Sequence, residues 1–270
     1  MTNITFIGVG ILAQSLLSAL NRVQVPAHFL LIAKDFEKLS KNSAGWPNLH
    51  LKLLQASSDI SLILKSDILI LTVKPAQIHD IFSKFPELST FKGTVISFLA
   101  GIDSKTLSTL FLNATISRAM TSIGIQNALT PLLFWLKDGD QKNTLIEELF
   151  SSIGPIIYAK NELELDRDVL LYGCMPAVLA TLLQPFKEKF IEGNLLATSE
   201  GFHLLILSAM EILKNNDYKN VIKKVQTPGG VTQAAIEHLE SKNVFQELSS
   251  SIEAAGIRAK EISLSNSIKK

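Results

Sequence analysis

The stretch Ile4-Thr5-Phe6-Ile7-Gly8-Val9-Gly10-Ile11-Leu12-Ala13 decides the fold class. Four β-prone residues run into a G-x-G-x-x-A spacing, and Leu12, Leu16, Leu17 and Leu20 then recur near a 3.6-residue period. Strand, tight glycine turn and helix in that order open a βαβ unit that binds a dinucleotide. Gly8 makes the turn, Gly10 lets backbone approach a diphosphate, and Ala13 permits close helix packing. The helix start brings the positive end of its dipole to the anion.

The pattern continues outward. Phe29 to Ala33, Ile68 to Val73, Val95 to Leu99, Thr115 to Arg118, Leu132 to Leu136 and Ile156 to Tyr158 read as strands, with a helix over Asn143 to Ser152. Nearly continuous aliphatic runs imply a parallel sheet buried on both faces. From about Asn161 the alternation stops, and helices follow, punctuated by Pro185, Gly193, Asn215-Asn216 and Thr227-Pro228-Gly229-Gly230. The fold expected is α/β: a Rossmann-like dinucleotide-binding domain over 1–160, then an all-helical domain over 161–270.

Composition removes other classes. The 270 residues carry 26 basic and 25 acidic side chains, for a net charge of +1. Residues 1–160 hold 14 basic and 11 acidic, and 161–270 hold 12 and 14. Neither half is basic enough for a nucleic-acid partner or a membrane surface. One cysteine, Cys174, makes no internal disulfide, and a strand pattern from Ile4 leaves no room for a leader, so a cytoplasmic protein is expected. The mean hydropathy of +0.26 signals more apolar surface than a monomer covers. Val169 to Phe186 holds no charged residue, but Gly173 to Pro176 should break it and Pro185 end it, so it reads as a buried soluble helix.

Candidate site residues cluster where strands end. Lys34 follows the second strand and suits the 2′-phosphate of NADP(H), while Asp35 beside it keeps NAD open. Thr72-Val73-Lys74-Pro75 and Phe98-Leu99-Ala100 lie at further carboxyl ends, where a flat nicotinamide meets small residues. The five histidines have no metal-ligand spacing, and no metal is expected. Cys174 lacks a histidine partner in sequence and reads as a packing residue.

Together with Val73-Lys74-Pro75, Ala100-Gly101-Ile102, Arg118-Ala119-Met120, Asp166, Tyr172 to Ala177 and Thr227-Pro-Gly-Gly-Val-Thr232, the fingerprint resembles the pyrroline-5-carboxylate reductases nearly end to end. The resemblance implies proline biosynthesis: hydride transfer from NAD(P)H to a cyclic imine, giving proline, in a homodimer with an interleaved helical domain. It implies a substrate pocket from Gly229, Gly230 and Val231, with backbone amides on the carboxylate, Tyr172 nearby, and the Thr232 hydroxyl on the ring nitrogen as the catalytic group. Glu162 and Asp166 match positions taken as structural or interface residues.

Some family positions differ. Thr121-Ser122-Ile123-Gly124 stands for P-N-T-P, Tyr172-Gly173-Cys174-Met175 for S-G-S-G, and Ile11-Leu12 for N-M. Asp59 stands at an aligned amide position, which disfavours a 2′-phosphate. Two alternatives follow: a diverged reductase of another imine or small carbonyl compound, or a dinucleotide-binding dimer without catalysis.

Overall fold

The structure is a computed structural model and describes residues 1–55, 60–137, 144–192, 198–214 and 216–267. Its first part alternates β1 (Thr2–Ile7), α1 (Ile11–Arg22), β2 (Ala27–Ala33), α2 (Phe36–Ser43), β3 (His50–Gln55), α3 (Ile60–Leu64), β4 (Ile68–Leu71), α4 (Ile78–Lys84), β5 (Thr94–Ser97), α5 (Ser104–Leu110), β6 (Thr115–Met120), β7 (Leu132–Leu136), α6 (Thr144–Phe150) and β8 (Ile156–Tyr158). Helices α7 (Glu162–Ile191), α8 (Ser199–Lys214), α9 (Tyr218–Val225), α10 (Val231–Ser241) and α11 (Val244–Ser267) complete the chain.

The strands form one sheet in the order β3-β2-β1-β4-β5-β6-β7-β8. Strand order reverses between β1 and β4, which opens a crevice at their carboxyl ends. Alternate side chains of β4 feed different cores: Ile68 and Ile70 join one cluster with Leu16, Leu17 and Leu20 of α1, whereas Leu69 and Leu71 join another with Ile78 and Leu88. This period-two division is why the run reads as continuously apolar.

Several expectations need correction. β6 and β7 pair antiparallel, not parallel, because Thr121 to Pro131 joins them through only a short 3₁₀ turn at Ile123–Asn127. The strand β3 was not foreseen, while the foreseen strands shift at their ends by at most two residues. Finally, α7 passes through Pro176 and Pro185, which neither break nor end it. Each proline removes one helix N–H, a cost the helix absorbs here.

Residues 1–174 with the stretch from Gly256 form one compact unit, and Met175–Ala255 form a second. In the second unit Phe202 is the one buried residue among those described. By length and composition α7 could cross a membrane. None of its described side chains from Tyr172 to Phe186 is buried, which corrects the expected buried helix.

Candidate functional site

A cleft of about 610 Å³ lies in the first unit at the carboxyl ends of β1, β2 and β4. Its floor is the glycine turn. Gly8 has φ +90°, and a Cβ there would stand 2.5 Å from Val73 Cγ1 and 2.9 Å from Val73 N, so only glycine fits between β1 and the β4 end. Gly8 N donates to Ile32 O at 2.9 Å, and Thr72 Oγ1 donates to Gly8 O at 2.6 Å. The turn is thereby tied to both neighbouring strands.

Gly10 caps α1 without a side-chain hydrogen bond, and α1 has no acidic residue in its first turn. A Cβ on Gly10 would meet nothing within 4 Å. Free first-turn N–H groups thus face open space, which is the cradle a diphosphate requires. Gln14, not foreseen, lines the cleft and donates from Nε2 to Val9 O at 3.1 Å, holding the turn's outer limb.

Lys34, Lys38, Lys74 and Lys84 line the cleft against Asp35 and Asp80, so a polyanion meets excess positive charge. Asp35 is the N-cap of α2, and its Oδ1 accepts from Lys38 N at 2.9 Å. That commitment turns the acidic residue toward its own helix and leaves Lys34 and Lys38, both exposed, as the cations at the β2 end. The sequence reading named Lys34 and missed Lys38, which the Asp35 cap places one helical turn on. Asp59 lies outside the described residues.

Of the other expected cofactor residues, Gly8, Val9, Gly10, Ile11, Lys34, Thr72, Val73 and Lys74 line this cleft. Leu12 is half-buried and Ala13 fully buried beneath the turn, while Pro75 starts a 3₁₀ turn beside it. Phe98 and Leu99 are buried at the end of β5, with Ala100 exposed at the tip that follows. These six do not line the cleft. Tyr172, also in the first unit, packs on Met120, Leu133 and Leu165.

Beside the β5 end stands a charged group. Arg118 is 1% exposed, and its Nη2 donates to Asp166 Oδ1 at 2.6 Å while Nη1 donates to Glu162 Oε1 at 3.0 Å. Burial opposes its charge, but the hydrogen bond and attraction from Asp166, then those from Glu162, raise the guanidinium's pKa above its ordinary value. Asp103 is also desolvated, yet its hydrogen bonds to Thr106 and the fields of Arg118 and Lys105 hold its carboxyl below the usual range.

In the second unit, Gly229 has φ +70° and Gly230 caps α10. A Cβ on Gly230 would collide with Thr227 Oγ1, so the loop closes on itself only with glycine there. Gly229 N donates to Gln233 Oε1 at 2.8 Å, which fixes the loop on the helix. Val231 is exposed and Thr232 half-buried at the start of α10.

Residues 3–101 match a family model described as NADP oxidoreductase, coenzyme F420-dependent, and residues 162–262 match pyrroline-5-carboxylate reductase dimerisation. The pyrroline-5-carboxylate reductase of Glycine max is 26% identical, covering 96% of this chain and 95% of that protein. The solved 1-pyrroline-5-carboxylate reductase of Streptococcus pyogenes superposes with a TM-score of 0.81 at 21% identity, covering 96% of this chain and 98% of that one. The Plasmodium falciparum pyrroline carboxylate reductase, solved with NADP bound, gives 0.78 at 17%, covering 97% and 98%. With a dinucleotide-type model ahead of this dimerisation model, and relatives aligned along almost the whole of both chains, the chain is similar from end to end to the pyrroline-5-carboxylate reductases.

Proposed function

We propose that this protein is an NAD(P)-dependent oxidoreductase that reduces 1-pyrroline-5-carboxylate to L-proline, with NADP(H) as its preferred dinucleotide. The observation that carries the reading is the pairing, in one family-matched chain, of the uncapped α1 start over an open cradle with the Thr227–Thr232 loop. The domains proposed are 1–160 for the dinucleotide and 161–270 for dimerisation and substrate. The protein works as a cytoplasmic homodimer.

When bound, the reduced nicotinamide supplies a hydride to the imine carbon. The electron pair of the C=N bond then moves to the ring nitrogen, which keeps its proton and becomes a secondary amine. The chain's own residues bind and orient. First-turn N–H groups of α1 hold the diphosphate, and Lys34 with Lys38 pair with the 2′-phosphate. The backbone around Gly229, Gly230 and Val231 holds the substrate carboxylate, and the Thr232 hydroxyl hydrogen-bonds to the ring nitrogen. No residue needs to act as a strong base, because a protonated imine is already electrophilic.

Purified protein with NADPH and pyrroline-5-carboxylate should oxidise the cofactor and form proline stoichiometrically. Thr232→Ala should lower kcat roughly tenfold, the cost of one hydrogen bond to a charged group at about 1.5 kcal/mol. Turnover of a different imine alone would assign a diverged reductase. Dinucleotide binding with no turnover on a panel of imines would make the protein a non-catalytic binder.

A further inference from the structure

The β5 end carries a turn whose shape is set from elsewhere. Leu99 to Ile102 closes with a single long hydrogen bond, Ile102 N to Leu99 O at 3.4 Å, and Gly101 holds φ +72°. Its upstream limb is anchored within the sheet: Phe98 N donates to Leu71 O at 3.0 Å, and Leu99 N donates to Ser97 Oγ at 3.3 Å. Ala100 stands exposed at the tip.

The downstream limb depends on α7. Asp103 caps α5 by accepting from Thr106 N at 2.7 Å, which leaves the amide of Ser104 to be satisfied by another group. Glu162 supplies it, with Oε1 accepting from Ser104 N at 2.9 Å and Oε2 from Ser104 Oγ at 2.7 Å. Glu162 is held in turn by Arg118, whose other Nη is committed to Asp166. Arg118 Nε has no hydrogen-bond partner, so the fork's orientation rests on these two carboxylates. A lysine could not hold two carboxylates with this fixed planar spacing.

We propose that Glu162 is a positioning residue for the dinucleotide: through Ser104, and with Arg118 and Asp166 behind it, it fixes the Leu99–Ile102 turn as a support for the nicotinamide half. This rests on the proposed dinucleotide reading. The turn follows the strand next to β4, whose carboxyl end lines the cleft. That is where the second half of a dinucleotide extends across a switch point. The 2′-phosphate half lies at the β2 end and shares none of these bonds.

The test compares binding of NADPH with that of 2′-phospho-ADP-ribose, which lacks the nicotinamide. In Glu162→Gln the Kd for NADPH should rise about five- to tenfold while that for the fragment stays within twofold, and bound-state nicotinamide fluorescence should change. Ser104→Ala, which removes only the hydroxyl bond, should move NADPH in the same direction by two- to threefold, and decides the matter if Glu162→Gln does not fold. Equal weakening of both ligands, or no change in either, overturns the proposal and leaves Glu162 a structural residue. A wild-type protein that binds neither ligand overturns it together with the dinucleotide reading. One that binds both but leaves pyrroline-5-carboxylate unreduced sinks only the substrate assignment, and the binding comparison still decides the role of Glu162.

Discussion

At Gly8 the φ of +90° and the 2.5 Å approach to Val73 Cγ1 make two separate demands for glycine, whereas Gly10 has φ −77° and nothing within 4 Å of a built Cβ. Their alanine variants should therefore fail differently. Gly8→Ala should lose about 1–3 kcal/mol of stability from backbone strain alone, and dinucleotide binding with it. Gly10→Ala should melt within a few degrees of wild type yet bind NADPH at least tenfold more weakly, because its methyl enters the space above the helix start. Thermal melts paired with titrations separate the two, and a stable, tight-binding Gly8→Ala would refute the packing argument. Lys34 and Lys38 make a second residue-scale prediction. Lys34→Ala should weaken NADPH about tenfold and leave NADH within twofold, since a lost charged hydrogen bond to an exposed phosphate costs about 1.5 kcal/mol. Equal loss for both cofactors would show that the lysine reads something other than the 2′-phosphate. Gly8, Gly10 and Lys34 were legible because their chemistry follows from their place after a strand. Lys38 was not, since its position depends on Asp35 starting α2.

Among the elements, burial made the central strands the most legible. The strands β1, β2 and β4 are buried on both faces and announce themselves as apolar runs, whereas β3 at the sheet edge reads H-L-K-L-L-Q with no fully buried side chain. Its alternation was present but diluted by exposed polar residues. The prolines of α7 misled for the opposite reason: proline's cost in a helix is local, and a 30-residue helix has many other bonds to offset it. At the other sheet edge, β8 and α6 are joined by a bond with a pH signature. Tyr158 Oη donates to Glu147 Oε1 at 3.1 Å; burial, then the hydrogen bond and charge of Glu147, push the phenol up to about 12 from 10.0. A raised phenol pKa favours the neutral form in the folded state. This stabilisation is therefore fully present below about pH 10 and lost as pH rises through about 12. In denaturant melts, the stability difference between wild type and Tyr158→Phe should shrink across that window; a constant difference would mean the bond does not act through the phenol proton.

The whole molecule poses a question of coverage. The first unit builds two cores on either face of its sheet, yet the second buries Phe202 alone among its described residues. Leu204, Leu205, Leu207, Met210 and Ile212 of α8 are each at least half exposed, as is Phe186 of α7. Folding orders each backbone residue at about 1–2 kcal/mol, so a set of helices with so little burial does not hold itself together. The surplus of apolar residues was legible in composition, and so was its concentration in the helical half, in runs such as Val169 to Phe186. A match to a dimerisation model over 162–262 supports a second copy of this chain as the cover. If so, stability is a function of protein concentration. Sedimentation velocity on serial dilution should give dimer or larger species and no folded monomer, with helical circular dichroism falling as dissociation proceeds. Leu205→Glu should bring that loss to higher concentration by placing a charge against the partner. A monomer with undiminished helix content would overturn the homodimer, and recovery of the protein solely in the membrane fraction would assign α7 to a bilayer instead.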